Sequence, residues 1–319
     1  MAKGAVQSKF ILNIKDRFEE IFVFVALLLL IAIFSIMADN FLSTSTLFSI
    51  LSQLPALTVI TIGMTVVLIG GGIDLSVGSV AALSGAILGF CASSLEIPLL
   101  FAGILAIIGA CLAGLVNGIL GSYLKLPVFI VTLGMLEASR GLAYLVSDSQ
   151  TVYIGPSVQV LALPISGLGL SISFLISISL VLLAHLVITR TTFGRYLIAI
   201  GTNEQAARIS GIRPEPILAG ALIVSGLLAG LGGVMNTAYL GASDPNAGIG
   251  LELSAIAAAV IGGTSLMGGR GSILGAFLGV LIICVLQNGL AQLGVSEPFK
   301  RLMTGLVIIL AVLIDRWRR

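Results

Sequence analysis

Charged residues are scarce in this chain. Asp, Glu, Lys and Arg make up 9% of its 319 residues, and the formal net charge is only +2. This balance argues against a nucleic-acid partner, because binding to phosphates needs a strong excess of Lys and Arg. Hydrophobic residues instead make up 58% of the chain, and the mean hydropathy is +1.17. No soluble core requires that much apolar surface, so the composition indicates an integral membrane protein.

Residues that carry covalent chemistry are also few. The 3 cysteines and the 1 histidine lack the spacing of a disulfide framework or a metal site. The chain contains no G-x-x-x-x-G-K-[ST] phosphate loop and no H-E-x-x-H zinc motif. We therefore expect a transport subunit and not an enzyme, with no metal or cofactor of its own. If the protein uses ATP and Mg²⁺, a separate ATPase subunit binds them.

Ten apolar segments come close to the length of a transmembrane helix, which needs about 20 residues to cross about 30 Å of hydrocarbon. The predicted spans are 21–37, 47–70, 77–93, 97–121, 127–147, 168–188, 217–240, 253–267, 272–293 and 299–315. The segment 253–267 is short, so we expect it to be tilted, broken or re-entrant. The sequence thus predicts an all-α polytopic membrane protein with a polar tail over 1–20, one transmembrane domain over 21–315 and a short C-terminal end over 316–319.

The distribution of basic residues predicts the orientation. With the N-terminus in the cytoplasm, 13 of the 16 Lys and Arg residues lie on the cytoplasmic side, as the positive-inside rule requires. The outer loops 148–167 and 241–252 then contain no Lys or Arg. An even number of spans returns the C-terminus to the cytoplasm.

The longest charged interruption of the apolar pattern is the cytoplasmic loop 190–216. We predict a short helix near its centre, capped by Thr202 in an [ST]-x-x-[EQ] pattern. Glu204 and Arg208 have the i,i+4 spacing of an ion pair, and Ser210-Gly211 supplies a left-handed stop.

This short helix has two possible roles. It is either a helical turn in a solvated loop or a docking helix for a cytoplasmic partner, because Ala206 and Ala207 would let another surface approach closely. The residues that would form the docking contact are Asn203, Glu204, Ala206, Ala207, Arg208, Ser210 and Gly211.

Charged side chains within apolar segments need an explanation, because a charge at the bilayer centre costs about 2.5–3.5 kcal/mol on insertion scales. Asp74 follows three glycines and is placed to cap the next helix; a substrate or proton role is the alternative. Glu137 and Arg140 share one face of the fifth span, which predicts an ion pair, with a polar lining for a solute path as the alternative. Glu252 lies where an outer loop re-enters the membrane.

Amide side chains in apolar surroundings allow two interpretations. They either bond helix to helix or line a path for a polar solute. Together with the carboxylates, the candidates for the path or its gate are Asp74, Asn117, Glu137, Asn236, Glu252 and Asn288.

Two glycine-rich stretches are similar to those of a known family. GMTVVLI (63–69) leads into GIDLSVGS (72–79), and ELSAIAAAVIGGTSLMGGRGS spans 252–272. With GTNE (201–204) and SGI (210–212), these motifs resemble the permease subunits of bacterial ribose-type ABC sugar importers. The resemblance extends over about residues 20–315 and does not specify the sugar.

The resemblance implies a fold, a location and a set of partners. The fold would be a ten-helix permease of the larger, vitamin-B12-type (type II) importer class in the bacterial inner membrane. A second permease copy or paralogue, ATP-binding-cassette ATPase subunits and a periplasmic or extracellular sugar-binding protein would complete the transporter. Loop residues 203–211 would form the coupling helix that enters a groove on the ATPase. Glu137 departs from the apolar residue expected there, which would mark a different substrate or a heterodimeric partner.

Other functions remain open from the residues alone. Permeases for branched-chain amino acids or nucleosides share the architecture. An ion-coupled secondary transporter would instead use Asp74, Glu137 or Glu252 as its proton site.

Overall fold

The computed structural model describes residues 21–165, 167 and 169–317, which form thirteen helices and one two-stranded sheet. The helices are α1 (Ile21–Met37), α2 (Thr44–Ile69), α3 (Val77–Gly89), α4 (Leu99–Gly118), α5 (Val128–Val146), α6 (Pro156–Gln159), α7 (Ile172–Arg190), α8 (Thr192–Thr202), α9 (Glu204–Ile209), α10 (Pro214–Leu240), α11 (Leu251–Ile261), α12 (Ile273–Gln292) and α13 (Glu297–Trp317). Single π-helical turns, Phe90–Ser94 and Ile119–Tyr123, continue α3 and α4. The predicted tail 1–20 and residues 318–319 lie outside the described residues.

Seven helices are long and apolar enough to cross a membrane: α2, α3 and α4 with the π turns of the latter two, α5, α7, α10 and α12. The predicted helical, polytopic architecture is therefore confirmed. Two shorter apolar helices, α1 and α11, fall at the first and eighth predicted spans, and α13 covers the tenth. The count of ten spans stays a prediction.

Helix α10 lies at the centre of the helical body and packs against α2, α3 and α4. Glycines allow these helices to approach almost backbone to backbone. A Cβ at Gly226 would lie 2.7 Å from the Cα of Gly114, and one at Gly233 would lie 2.1 Å from the carbonyl oxygen of Ala81. The GxxxG spacings of α4 and α10 thus serve packing within one chain.

The predicted span 253–267 is helical only in its first part, which agrees with the expectation that this segment is broken. Helix α11 ends at Ile261, after a rise of about 16 Å at 1.5 Å per residue. The following segment, 262–272, continues as turns, in which Ser265 N–H donates to the Arg270 carbonyl and Gly269 N–H donates to that of Ile69. Irregular backbone is tolerated in a membrane protein where other protein groups satisfy its N–H and C=O groups. The two hydrogen bonds satisfy some of these groups in segment 262–272.

The predicted loop 190–216 also differs from the structure, because it is mostly helical. Helix α8 occupies 192–202 and was missed in the sequence. Thr202 does not cap the short helix: it is the last residue of α8, and its hydroxyl donates to the Ile198 carbonyl at 2.7 Å. Asn203 is the cap, one residue later.

The two ends of the helical body are distinct. At one end, here called the β end, strands β1 (Val152–Tyr153) and β2 (Ala242–Ser243) pair antiparallel, with Val152 opposite Ser243. At the other, here called the α9 end, α8 and α9 meet segment 262–272 and the end of α2. A Cβ at Gly268 would lie 2.8 Å from the Cα of Gly71 and 2.9 Å from the carbonyl oxygen of Gly201.

Candidate coupling surface and solute cavity

Helix α9 is a two-turn helix with a complete set of end contacts. The Asn203 side chain accepts the N–H of Ala206 at 3.0 Å. Gly211 adopts φ +84°, and the N–H groups of Gly211 and Ile212 donate to the carbonyls of Arg208 and Ala207. This pattern is a Schellman motif, so the predicted glycine stop is confirmed. Ser210 is exposed at the C-cap, and its hydroxyl donates to the Ala206 carbonyl.

The outward face of α9 carries a small and an apolar side chain. Ala206 is exposed, whereas Ala207 is buried against the body. Ile209 is 88% exposed, although it lies among charged residues beyond the membrane spans. Sequence reasoning did not select Ile209, because its exposure depends on how α9 packs and the interruption contains three other isoleucines. Ala206 and Ile209 are three residues apart, so they lie on the same side of the helix, and this side is the candidate docking surface.

Arg208 forms ion pairs on two sides. Its Nη2 lies 2.9 Å from Oε1 of Glu204 and 2.7 Å from Oε1 of Glu215. The predicted Glu204–Arg208 pair is therefore confirmed, and the Glu215 contact to α10 is additional. Hydrogen bonds to Glu204 and then to Glu215 raise the pKa of the Arg208 guanidinium, so Arg208 stays charged at every physiological pH.

A cavity of about 490 Å³ opens at the β end among α2, α11, α12 and α13. This volume is within the range of small-molecule sites, about 300–1,000 Å³. Its polar lining combines amides with charged side chains: Gln53, Gln287, Asn288, Glu252, Glu297, Lys300 and Arg301. Such a lining can exchange hydrogen bonds with a hydroxylated or zwitterionic solute.

Two amides of the cavity wall, Asn288 and Gln53, belong to one hydrogen-bond network. Asn288 Oδ1 accepts from Ser49 at 2.9 Å, and Asn288 Nδ2 donates to Gln53 Oε1 at 3.2 Å. Gln53 Nε2 in turn donates to the Tyr239 hydroxyl at 3.1 Å. The network thus connects α12, α2 and the end of α10.

Glu252 contributes an unsatisfied acceptor beside the cavity. Its Oε1 accepts the N–H of Gly250 at 3.2 Å, while its Oε2 is buried without a hydrogen-bond partner among the residues that the structure describes. A Cβ at Gly78 would lie 2.1 Å from Oε2, so the carboxylate rests against bare backbone of α3. Leaving a buried acceptor unpaired costs about 1–3 kcal/mol, which marks Glu252 as a group with hydrogen-bonding capacity to spare.

Asp74 and Asn117 lie away from this cavity, buried at the start of α3. Asp74 Oδ1 accepts from the N–H and hydroxyl of Ser76, at 3.0 and 2.6 Å, and Oδ2 accepts from Ser225 at 2.7 Å. The N-cap of α3 is Ser76 and not, as predicted, Asp74. Asp74 lies two residues before this cap and accepts hydrogen bonds from it. Asn117 Nδ2 donates to the Ser76 hydroxyl at 3.0 Å.

The predicted Glu137–Arg140 ion pair is wrong. Arg140 reaches the loop after β2 and donates to the Pro245 carbonyl, while Glu137 is exposed on α5. The long Arg140 side chain extends beyond α5, so its guanidinium reaches the Pro245 carbonyl instead of the Glu137 carboxylate. Asn236 is half-buried on α10. Of the six path candidates, only Glu252 and Asn288 line the β-end cavity.

Among the described residues, seven helices long and apolar enough to cross a membrane, together with a half-open polar cavity, are typical of a multi-pass membrane permease. Comparison with known proteins makes the assignment specific. The chain belongs to the family described as "Branched-chain amino acid transport system / permease component", whose model matches residues 46–312.

Individual relatives align along nearly the whole chain. It is 38% identical over 299 residues to the ribose import permease protein RbsC of Haemophilus influenzae, covering 92% of each chain. It is 40% identical over 303 residues to RbsC of Bacillus subtilis, covering 92% of this chain and 91% of that protein. It is 36% identical over 294 residues to the D-allose transport system permease protein AlsC of Escherichia coli, covering 92% and 90%. The resemblance to ribose-type permeases found in the sequence is therefore confirmed.

Proposed function

We propose that this chain is the membrane-spanning subunit of an ATP-driven importer that carries a monosaccharide into the cytoplasm by alternating access. The names of its relatives, which specify ribose and allose, support a sugar, and a ribose-like pentose is the first candidate. The amide network of the β-end cavity supports the same choice, because amides both donate to and accept from hydroxyl groups. The family description keeps branched-chain amino acids as the competing substrate class.

The proposed importer needs partners that supply energy and substrate. ATPase subunits would bind ATP and Mg²⁺ and dock on α9, and a second permease copy or paralogue would complete the path. A sugar-binding protein would deliver solute at the β end. The proposed fold is the ten-helix, type II arrangement, with α1, α11 and α13 added to the seven long apolar helices.

The proposed location is the bacterial inner membrane, with the α9 end in the cytoplasm. Basic residues support this orientation. Six lie near the α9 end, Lys125, Arg190, Arg195, Arg208, Arg213 and Arg270, against three at the β end, Arg140, Lys300 and Arg301. Both termini are proposed to lie on the cytoplasmic side.

In this proposal the chain performs no covalent chemistry. The ATPase moves α9, the helices attached to it change their tilt, and the path opens to one side and then to the other. Glu252 and Asn288, with Gln53, contact the solute in the outward-facing state. Asp74 and Asn117 hold the start of α3 to the end of α4 and to the middle of α10.

The exposed face of α9 is the observation that carries the proposal, and it sets the test. The full-length tagged protein is purified from its native host in mild detergent, and the retained ATPase is quantified. Replacing Ile209 with Asp puts a charge at the centre of the docking surface. A contact of this kind is worth about 2 kcal/mol or more, roughly thirtyfold in affinity, so we expect the ATPase to be lost.

A matched control comes from the opposite end. Leu163, 55% exposed at the β end, is also replaced with Asp, and this variant should retain the ATPase. Equal retention in the two variants would reject the docking assignment. A wild-type protein that purifies without any ATPase, beside a control importer that keeps its own, would reject the ATP-driven function and favour ion coupling.

A further inference from the structure

Helix α10 connects the two ends of the molecule. Its 27 residues, Pro214–Leu240, extend about 40 Å at 1.5 Å per residue. Glu215, in its first turn, pairs with Arg208 of α9. Tyr239, in its last turn, hydrogen-bonds Gln53, which lines the β-end cavity. A displacement that enters α10 at one end therefore reaches the cavity wall at the other.

The packing of α10 favours movement as one body. Ser225 donates to Asp74 at 2.7 Å, and Ser84 of α3 donates to the Gly230 carbonyl at 2.8 Å. Backbone contacts with α3 and α4, described above for Gly233 and Gly226, leave no space for the helix to bend independently of its neighbours. Closely packed interiors of this kind transmit displacement instead of absorbing it.

The junction between α9 and α10 is open by comparison. A cavity of about 430 Å³ lies beneath α9, bounded by Glu204, Arg208, Glu215, Lys125 and the backbone of Gly70–Gly72. Helix α9 is therefore not backed by closely packed side chains along this side. The backbone connection is the short turn 210–213, whose glycine has φ +84°.

The Arg208–Glu215 pair spans this open junction. Among the residues that the structure describes, it is the ion pair that joins two helices, since Arg208–Glu204 lies within α9 and Lys300–Glu297 lies within α13. In this pair, the attraction of opposite charges resists separation of the two helices, and atomic contact at 2.7 Å resists compression. Its geometry suits a link that must act in both directions of a cycle.

We propose that Glu215 is the positioning residue through which displacement of α9 is delivered to α10, with Arg208 as its partner. This inference rests on the proposed ATP-driven function and assigns the transmission of force to one contact. The ATPase docks on Ala206 and Ile209, Arg208 carries the movement to Glu215, and α10 carries it to Gln53 at the cavity. Docking and transmission are thereby separate properties of α9.

The test measures the two properties separately in the assembled transporter, reconstituted in proteoliposomes. Replacing Glu215 with Gln should leave ATPase retention and the thermal midpoint unchanged. Solute transported per ATP hydrolysed should fall roughly fivefold or more, the usual lower range of coupling between two sites. Glu204→Gln removes the other carboxylate from the same guanidinium, and because Glu204 belongs to the proposed docking contact, this change serves only as the background for the charge reversal below.

Charge reversal provides a rescue that a structural role would not produce. In a Glu204→Gln background, Arg208→Glu and Glu215→Arg should each lower the ratio, and together they should restore most of it. This comparison also keeps the inference testable if Glu215→Gln accumulates poorly.

The outcomes distinguish the two proposals. A wild-type ratio in Glu215→Gln, or a swapped pair no better than either single change, overturns the transmission role. Loss of the ATPase from Glu215→Gln assigns the residue to docking and overturns it as well. Absence of an ATPase from the wild-type protein instead overturns the proposed function.

Discussion

The contact between Gly233 of α10 and Ala81 of α3 makes a sharp prediction about packing. A Cβ at position 233 would lie 2.1 Å from the Ala81 carbonyl oxygen, whereas ordinary contact begins at 3.4 Å. Gly233→Ala therefore requires α10 and α3 to separate by about 1 Å, and overpacking of this kind costs about 1–3 kcal/mol. Replacing a helical glycine by alanine contributes about 0.5–1 kcal/mol in the opposite direction. We expect a net loss of stability.

Gly220 provides the matched control on the same helix. A Cβ there meets only the Phe193 ring, at 3.7 Å, so Gly220→Ala should keep the helix-propensity gain without the clash. Thermal unfolding in detergent, followed by the fraction that remains monodisperse, should rank Gly220→Ala at or above the wild type and Gly233→Ala below it. Equal midpoints for the two variants would refute the argument that backbone contact holds α10.

Two further predictions concern the buried carboxylate and the cavity. Asp74→Ala leaves the hydroxyls of Ser76 and Ser225 without their acceptor, which costs about 1–3 kcal/mol for each buried group. It should therefore lower the thermal midpoint more than the nearly isosteric Asp74→Asn. The reverse order would contradict the structural role of Asp74. Asn288→Leu removes one partner from the cavity network and should raise the solute concentration for half-maximal transport roughly three- to tenfold, with ATPase retention unchanged. Transport kinetics identical to the wild type would remove Asn288 from the path.

Features set by neighbouring residues could be predicted from the sequence. An apolar run of about 20 residues forms a helix in lipid whatever surrounds it, and the seven long helices follow such runs. The Glu204–Arg208 pair and the Gly211 stop depend on one helical turn, so their spacing was sufficient. The α9 cap was misplaced by one residue because its position depends on where α8 ends.

Features set by distant contacts could not be predicted. The charged residues of 190–216 predicted a loop, yet 192–202 is helical, and other backbone lies against Gly194 and Gly201 within α8. A Cβ at Gly201 would be 2.0 Å from the Ile69 carbonyl oxygen. Arg140 donates to a carbonyl more than a hundred positions away in the sequence, although Glu137 is only three residues away. The division of the candidate residues between the β-end cavity and the inner cluster around Asp74 likewise depends on tertiary structure.

The place where segment 262–272 meets the rest of the protein has a consequence for biogenesis. Ile69 and Gly201 are synthesised and inserted well before Gly268 and Gly269, yet Gly269 supplies the hydrogen bond to the Ile69 carbonyl. Until the last quarter of the chain leaves the ribosome, this carbonyl and the glycine surface around it lack their final covering. At about 5–20 residues per second, the 200 residues between Ile69 and Gly269 take roughly 10–40 seconds to synthesise. The early helices must therefore persist in the membrane as an incomplete assembly until the glycine turn reaches them.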